Sequence, residues 1–434
     1  MNISGNIKEN LPTTLTATYK IITPMFIGDA EQNASWISPM SFKGALRFWW
    51  RALAWGRIRA EKENDEEALK ALHHQEALLF GSSADNPDKK NKKNAPKTYG
   101  RGTIKIQVIA DELTASDKQL KGKVHDKLKN YTASKYLGYG VINYHGELER
   151  DCINEGKTFK VKVIVDNSAE IENLKDALIL MGLLGGLGSK ARKGYGSINL
   201  VKLEGKGINW QSPKDFDDYK YMLKALVEVP KDMKKVKTLP PFSAFSDETL
   251  IVKLFEKNCP YKVLGFYGKA MIEYRSWGQR GKIAKFDENG TQQKEYDEEK
   301  KKMRNSFVKS QKSFKDDHDW SKDTGSYPNF HPERVVFGLP HNYGKKPTVG
   351  RGLLNNKEGR RASPLFFHVQ EIEGKYYGIA TLLKAEFLPA NEKIKAGGNQ
   401  VSQNIKWEVL KENFLQDKKR FPNANPLFPE EAQQ

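Results

Sequence analysis

One apolar run that breaks into glycines restricts the fold more than any other feature. From Ala177 to Leu187 the chain has 11 residues, all apolar and three of them glycine. A bilayer-spanning helix needs roughly 20 apolar residues, so this run reads as the buried end of a helix that begins near Ala169. The chain then enters Gly185-Gly186-Leu187-Gly188-Ser189-Lys190-Ala191-Arg192-Lys193-Gly194-Tyr195-Gly196 and resumes as a strand over Ser197 to Val201. The order helix, glycine-rich loop, strand follows.

Upstream, the alternation from Leu15 to Ile22 predicts a strand ending at Thr23-Pro24. Ser41 is placed to cap a helix reaching about Glu61, since its hydroxyl can accept from the free amides of the first turn. Strand patterns return at Thr103 to Ala110 and Thr158 to Val165, completing strand, helix, strand, strand, helix, strand, which is the ferredoxin-like split βαβ. Residues 81–100 read as a mobile basic loop and 111–155 as an insertion. At 434 residues the chain is long enough for two domains. We place them at 1–206 and 207–434. The second has strand candidates at Glu248 to Phe255, Arg334 to Leu339, Leu365 to Ile372 and Lys375 to Leu388, the last pair joined at Glu373-Gly374. Its residues 281–330 read as a charged, solvated insertion, with helix as one option. The expected class is α+β, two tandem ferredoxin-like (RRM-like) domains with insertions.

Lys and Arg exceed Asp and Glu by 72 to 54, leaving a formal charge of +18 that would attract a polyanion. Nucleic acid is the leading partner. No membrane partner is expected, and the N-terminus lacks a basic cap followed by an apolar run, so a cytoplasmic location is expected. Cys152 and Cys259 lie far apart without zinc-ligand spacing, which points to no metal site, no disulfide framework and no cofactor.

Two segments carry candidate chemistry. In the first helix Lys43, Arg47 and Arg51 recur every four residues, aligning three cations on one face, with Trp50 beside Arg47 as a candidate for stacking on a base. A solvated amphipathic face would show the same spacing, and Trp49 belongs to the apolar stripe. In the glycine-rich loop, Lys190, Arg192 and Lys193 could neutralise phosphates that the glycines let approach the backbone. A nucleotide-binding P-loop does not fit, because its Gly-x4-Gly-Lys-Ser/Thr spacing is missing and its order is strand, loop, helix.

The loop resembles the C-terminal signature of the RAMP superfamily of CRISPR proteins. With TPMFIG, SFKGALRFWWRA and GRRASPL it resembles, in order along the chain, the first-subunit family of the type III-B Cmr effector complexes. The resemblance implies tandem ferredoxin-like domains in a ribonucleoprotein that pairs target RNA with a CRISPR guide RNA. This subunit would engage the guide 3′ region or the target, beside other Cmr subunits, while cleavage belongs elsewhere. It supports Lys43, Arg47, Arg51, Lys190, Arg192, Lys193 and Tyr195 as RNA-facing, with Arg360 and Arg361 added from the second domain. Asp29 and Ser38 depart from the family pattern.

Some RAMP relatives cut RNA with a histidine, so a metal-independent endoribonuclease is the alternative. His73 and His74 adjoin on a helix and would point about 100° apart. His145 and His341 sit in expected loops, where catalytic groups concentrate, but the sequence places no partner base beside them. No catalytic residue is assigned, and the chain is expected not to be an enzyme.

Overall fold

In a computed structural model the described residues are 12–29, 33–34, 36–82, 100–110, 126–143, 145–166, 171–228, 238–276, 281–310, 330–343, 346–352, 358–396 and 399–429. The first half is built from β1 (Thr13–Ile21), α1 (Pro39–Ala60), α2 (Asp65–Phe80), β2 (Ile104–Ile109), β3 (Thr158–Val165), α3 (Ile171–Leu184) and β4 (Ile198–Gly205). Its antiparallel sheet runs β2-β3-β1-β4, extended by β5 (Ile208–Gln211). Leu15, Ala17, Tyr19 and Ile21 of β1 are buried at the period of two that a half-covered strand requires. Tyr19 pairs in register with Phe159 and stacks on it at 5.5 Å.

Helix α1 starts earlier than Ser41. Ser38 is the cap, its hydroxyl accepting from Met40 N at 3.3 Å, and Pro39 opens the first turn, where its missing N–H would lack a helical partner anyway. Ser38, a departure from the family pattern, thus has a structural use.

The second half contains α4 (Phe216–Val227), β6 (Leu250–Lys257), α5 (Pro260–Arg275), β7 (Leu365–Ile372), β8 (Lys375–Leu382) and β9 (Asn425–Phe428). Its antiparallel sheet runs β7-β8-β6-β9. Taken in chain order, both principal sheets have the sequence second, third, first, fourth. The β7–β8 turn places Glu373 at φ 50° and Gly374 at φ 74°, the pair of positive angles that suits a two-residue hairpin.

Two expectations are corrected. The segment near Arg334 is a 3-10 helix (Glu333–Phe337) and not a strand, with Val335, Val336 and Phe337 all buried. Within 281–330, the described part forms short hairpin strands and no helix. Lys282–Ala284 pairs with Phe307–Lys309, and Lys294–Asp297 pairs with Lys302–Asn305. The basic loop expected over 81–100 lies, apart from its ends, outside the described residues.

The two halves interlock. Phe366, Ile372 and Ile379 enter the core under the first sheet, while Ile22, Phe26 and Tyr195 enter the core under the second. The described end of the 111–155 insertion also packs inward, with Leu128, Leu137, Val141, Ile142 and Leu148 in that second core. Among the described residues no helix is long and apolar enough to cross a membrane.

Candidate nucleic-acid interface

The glycine-rich loop is held by the segment that ends β1. Thr23 Oγ1 donates to Gly194 O at 2.6 Å and accepts from Ser197 N at 2.9 Å, and Ser189 N donates to Phe26 O at 2.7 Å. Gly196, at φ 63°, shows why glycine is needed, since a Cβ there would lie 2.0 Å from Leu187 O. The loop then runs beside β7. Lys193 bridges Phe367, Phe367 N donates to Arg192 O at 3.0 Å, and Val369 N donates to Ser197 Oγ at 3.1 Å. The matching TPMFIG and GSKARKGYGS segments therefore lock the loop between the two sheets.

Where the loop meets α5 and the chain around 337–341 and 361–365, a cleft of about 530 Å³ opens. Lys190, Arg192, Lys193, Arg275 and Arg361 line it, and among the described residues no carboxylate does. The cations feel burial and one another. Burial and then Arg275 and Lys190 push Lys193 down to about 8. Arg192 is pushed down to about 10 by burial and by Arg361. Lys190 is lowered by burial, then by Arg150 and Arg360. Cations gathered this way without acids make a site that an anion would relieve.

The candidates are not equally placed. Arg192 is a clamp as well as a charge, since it donates to Ser363 O at 2.5 Å and lies over Phe366 and Phe48 at 4.4 and 5.4 Å. Arg361 donates to Glu386 O at 3.2 Å, while Arg360 is exposed. Tyr195 corrects the expectation of an RNA-facing ring. It is fully buried, its hydroxyl donates to Ser134 O at 3.1 Å, and Phe26 packs on it edge-on.

The α1 stripe is corrected in part. Trp50 is buried against Phe80 at 5.7 Å, because α2 covers the flank of α1 that the sequence left open, so it cannot stack on a base. Trp49 is also buried. Arg47 Nε contacts Glu76 Oε1, and Arg51 reaches the same oxygen at 3.5 Å. Glu76 is buried in α2, so part of the stripe's charge answers an internal carboxylate. Lys43 is half-buried, and burial followed by Arg47 lowers its pKa.

His73 and His74 are exposed on α2, and His145 is exposed with its carbonyl accepting from Lys135. His341, weighed in the sequence from its expected loop position, lines the cleft. Sequence reasoning also missed Arg275 at the end of α5, Arg150 beside Lys190, and Tyr139, which is 75% exposed. Tyr139 precedes Gly140, where a Cβ would stand 3.7 Å from Lys190 Nζ. Arg275 lies 82 residues from Lys193, a separation that no local pattern spans. Among the described residues no group of three His, Cys, Asp or Glu side chains could hold a metal ion.

A family model described as the RAMP superfamily matches residues 18–199, from within β1 into β4. The CRISPR system Cmr subunit Cmr1-1 of Pyrococcus furiosus is 25% identical over 389 residues, covering 85% of this chain and 87% of that protein. Subunit Cmr1-2 of the same organism is 25% identical over 187 residues, 42% of this chain and 92% of that protein. The crystal structure of apo Cmr1 from Pyrococcus furiosus superposes with a TM-score of 0.54 at 19% identity, covering 95% of this chain and 98% of that one, which is a likeness of fold. Residues 18–199 thus match the RAMP superfamily, and the chain as a whole resembles the Cmr1 subunits of CRISPR systems.

Proposed function

We propose that this chain is a non-catalytic, RNA-binding subunit of a type III-B CRISPR ribonucleoprotein that acts in antiviral defence in the cytoplasm. In that assembly it engages the guide RNA 3′ region, the target RNA, or both, beside other Cmr subunits. The observation that carries this reading is the cleft that Lys190, Arg192, Lys193, Arg275 and Arg361 line with no carboxylate among the described residues. An RNA backbone is the anion that such a row of cations fits, because each phosphate contacted releases condensed counterions. Two tandem ferredoxin-like domains, with their boundary near 206 and 207, complete the proposal. The matching strand orders of the two principal sheets support it.

The cleft supports binding over cleavage. Burial, then Arg275 and Arg334, pushes His341 down to about 3, so its imidazole is neutral at neutral pH and too weak a base to take a proton efficiently. Among the described residues no second histidine or carboxylate lines the cleft to share acid–base work.

The test is binding of single-stranded RNA by the full chain across a salt series. If about six phosphates are contacted, affinity should fall on the order of a thousandfold between roughly 50 and 200 mM salt. The Lys190→Ala, Lys193→Ala double variant should bind more weakly with a shallower slope. Unchanged binding by that variant sinks the cleft assignment. Metal-independent cleavage products that vanish on substituting His145 or His341 would replace this reading with the endoribonuclease.

A further inference from the structure

The cations lining the cleft are donors only, which suits phosphate oxygens but leaves His341 unexplained. His341 opens the short strand His341–Tyr343 and lines the same cavity as Lys193 and Arg275. Its ring bonds to the backbone at Arg334 and Gly338, while Nε2 is buried and has no hydrogen-bond partner among the described residues. Nδ1 is therefore the tethered nitrogen. Arg275 and Arg334 lie close enough to act on the ring, and both oppose a second proton. A neutral imidazole that donates through Nδ1 presents a lone pair at Nε2. The cleft thus combines a wall of donors with one buried acceptor.

A phosphate at neutral pH accepts hydrogen bonds and has almost nothing to donate, so it cannot satisfy Nε2. A ribonucleotide offers both functions within one unit, a phosphate for the cations and a sugar hydroxyl that can donate. Building on the RNA-binding reading, we propose that His341 Nε2 accepts a hydrogen bond from a ribose 2′-hydroxyl of the nucleotide whose phosphate Lys193 and Arg275 hold. The cleft then distinguishes RNA from DNA at that nucleotide, because the 2′-hydroxyl is the group DNA lacks.

The experiment measures binding of the full chain to a single-stranded RNA, to the DNA of the same sequence, and to RNAs carrying one 2′-deoxy sugar at each position in turn. The expected result is weaker binding of DNA and a dip at one position of the scan, about two- to tenfold, the size of one net hydrogen bond. In His341→Phe the dip should vanish, the unmodified RNA binding no better than the RNA with that one 2′-deoxy sugar. Nitrogen NMR of the wild-type imidazole, which needs no variant to fold, should show Nε2 shifting on addition of RNA but not of DNA. A flat scan in the wild type, a dip that survives in His341→Phe, or an Nε2 signal that RNA leaves in place each overturns the proposal. Absence of salt-dependent binding to either polymer would instead overturn the RNA-binding reading beneath it.

Discussion

The guanidinium carbon of Arg192 lies 4.4 Å from the ring centroid of Phe366, so a loop residue of the first half is stacked on the first strand of the second sheet's hairpin. Phe48 of α1 adds a second ring at 5.4 Å, and Ser363 O accepts from the guanidinium. A cation over an aromatic face contributes about 1 kcal/mol when partly desolvated, and a charged hydrogen bond somewhat more. Arg192→Ala should therefore destabilise the chain by about 2 kcal/mol. In urea this lowers the midpoint with the slope unchanged. Arg192→Lys should recover little, since an ammonium cannot stack as a planar guanidinium does. An Ala variant with a wild-type midpoint and weakened RNA binding would show that Arg192 is a phosphate ligand alone.

How far the fold could be read from sequence follows from where the information lies. β3 falls at Thr158–Val165 as its alternation requires, and the Glu373-Gly374 hairpin is marked by a glycine that adopts positive φ without strain. These are local signals. Trp50 failed because its environment is made by Phe80 of α2, and a helical wheel of α1 alone leaves that flank open. Tyr195 failed for the same reason, since the chain at Ser134 that covers it belongs to the insertion. The loop cations Lys190 and Lys193 were legible from composition. Arg275 was not, and His341 was singled out only as a loop histidine, because their place in the cleft arises from packing between distant segments.

The cleft should make RNA binding depend on pH near 8. Burial, Arg275 and Lys190 hold Lys193 at about 8 in the free protein, and a bound phosphate would favour its charged form. Below that pH the lysine is already protonated. Above it, binding must take up a proton, so affinity should decline as pH rises from 7 to 9, approaching tenfold per unit for about one linked proton. Lys193→Arg should flatten the profile over this range. Stability runs the other way. Between about 8 and the ordinary lysine value of 10.5 the unfolded chain binds more protons at this site, so folding gains from rising pH across that window. Proton uptake on binding can be measured by titration calorimetry in buffers of different ionisation enthalpy. Equal apparent heats at pH 8.5 would contradict the linkage.

Glu76 predicts that the stripe on α1 is partly structural. Its carboxylate is buried and faces both Arg47 and Arg51, whose side chains are 40% and 37% exposed. Glu76→Ala should cost about 1 to 3 kcal/mol, less than a fully buried pair because water screens the arginines. Arg47→Ala should be milder, since Arg51 still reaches the same oxygen. Thermal unfolding at low and high salt checks both. If Arg47→Ala leaves stability unchanged but weakens RNA binding as strongly as Lys193→Ala, the stripe is a binding surface and not an internal brace.

Tyr139 is the exposed aromatic best placed to receive a base. It is 75% exposed, follows Leu137 and Gly138, and precedes Gly140, which Lys190 Nζ closely approaches. Leu137 lines the cleft, so a backbone held by Lys190 would bring its base within reach of the ring. Stacking on an aromatic side chain contributes about 1 to 3 kcal/mol per base and tolerates any base. Tyr139→Ala should weaken single-stranded RNA binding by about fivefold or more, while Tyr139→Phe keeps the ring and most of the affinity. An RNA with abasic sites throughout isolates the stack from the phosphates. The Ala variant should bind that ligand as the wild type does and keep the same salt slope, because the lost contact is to the base alone. Equal losses on abasic and ordinary RNA would mean that Tyr139 shapes the loop around Lys190 and does not stack.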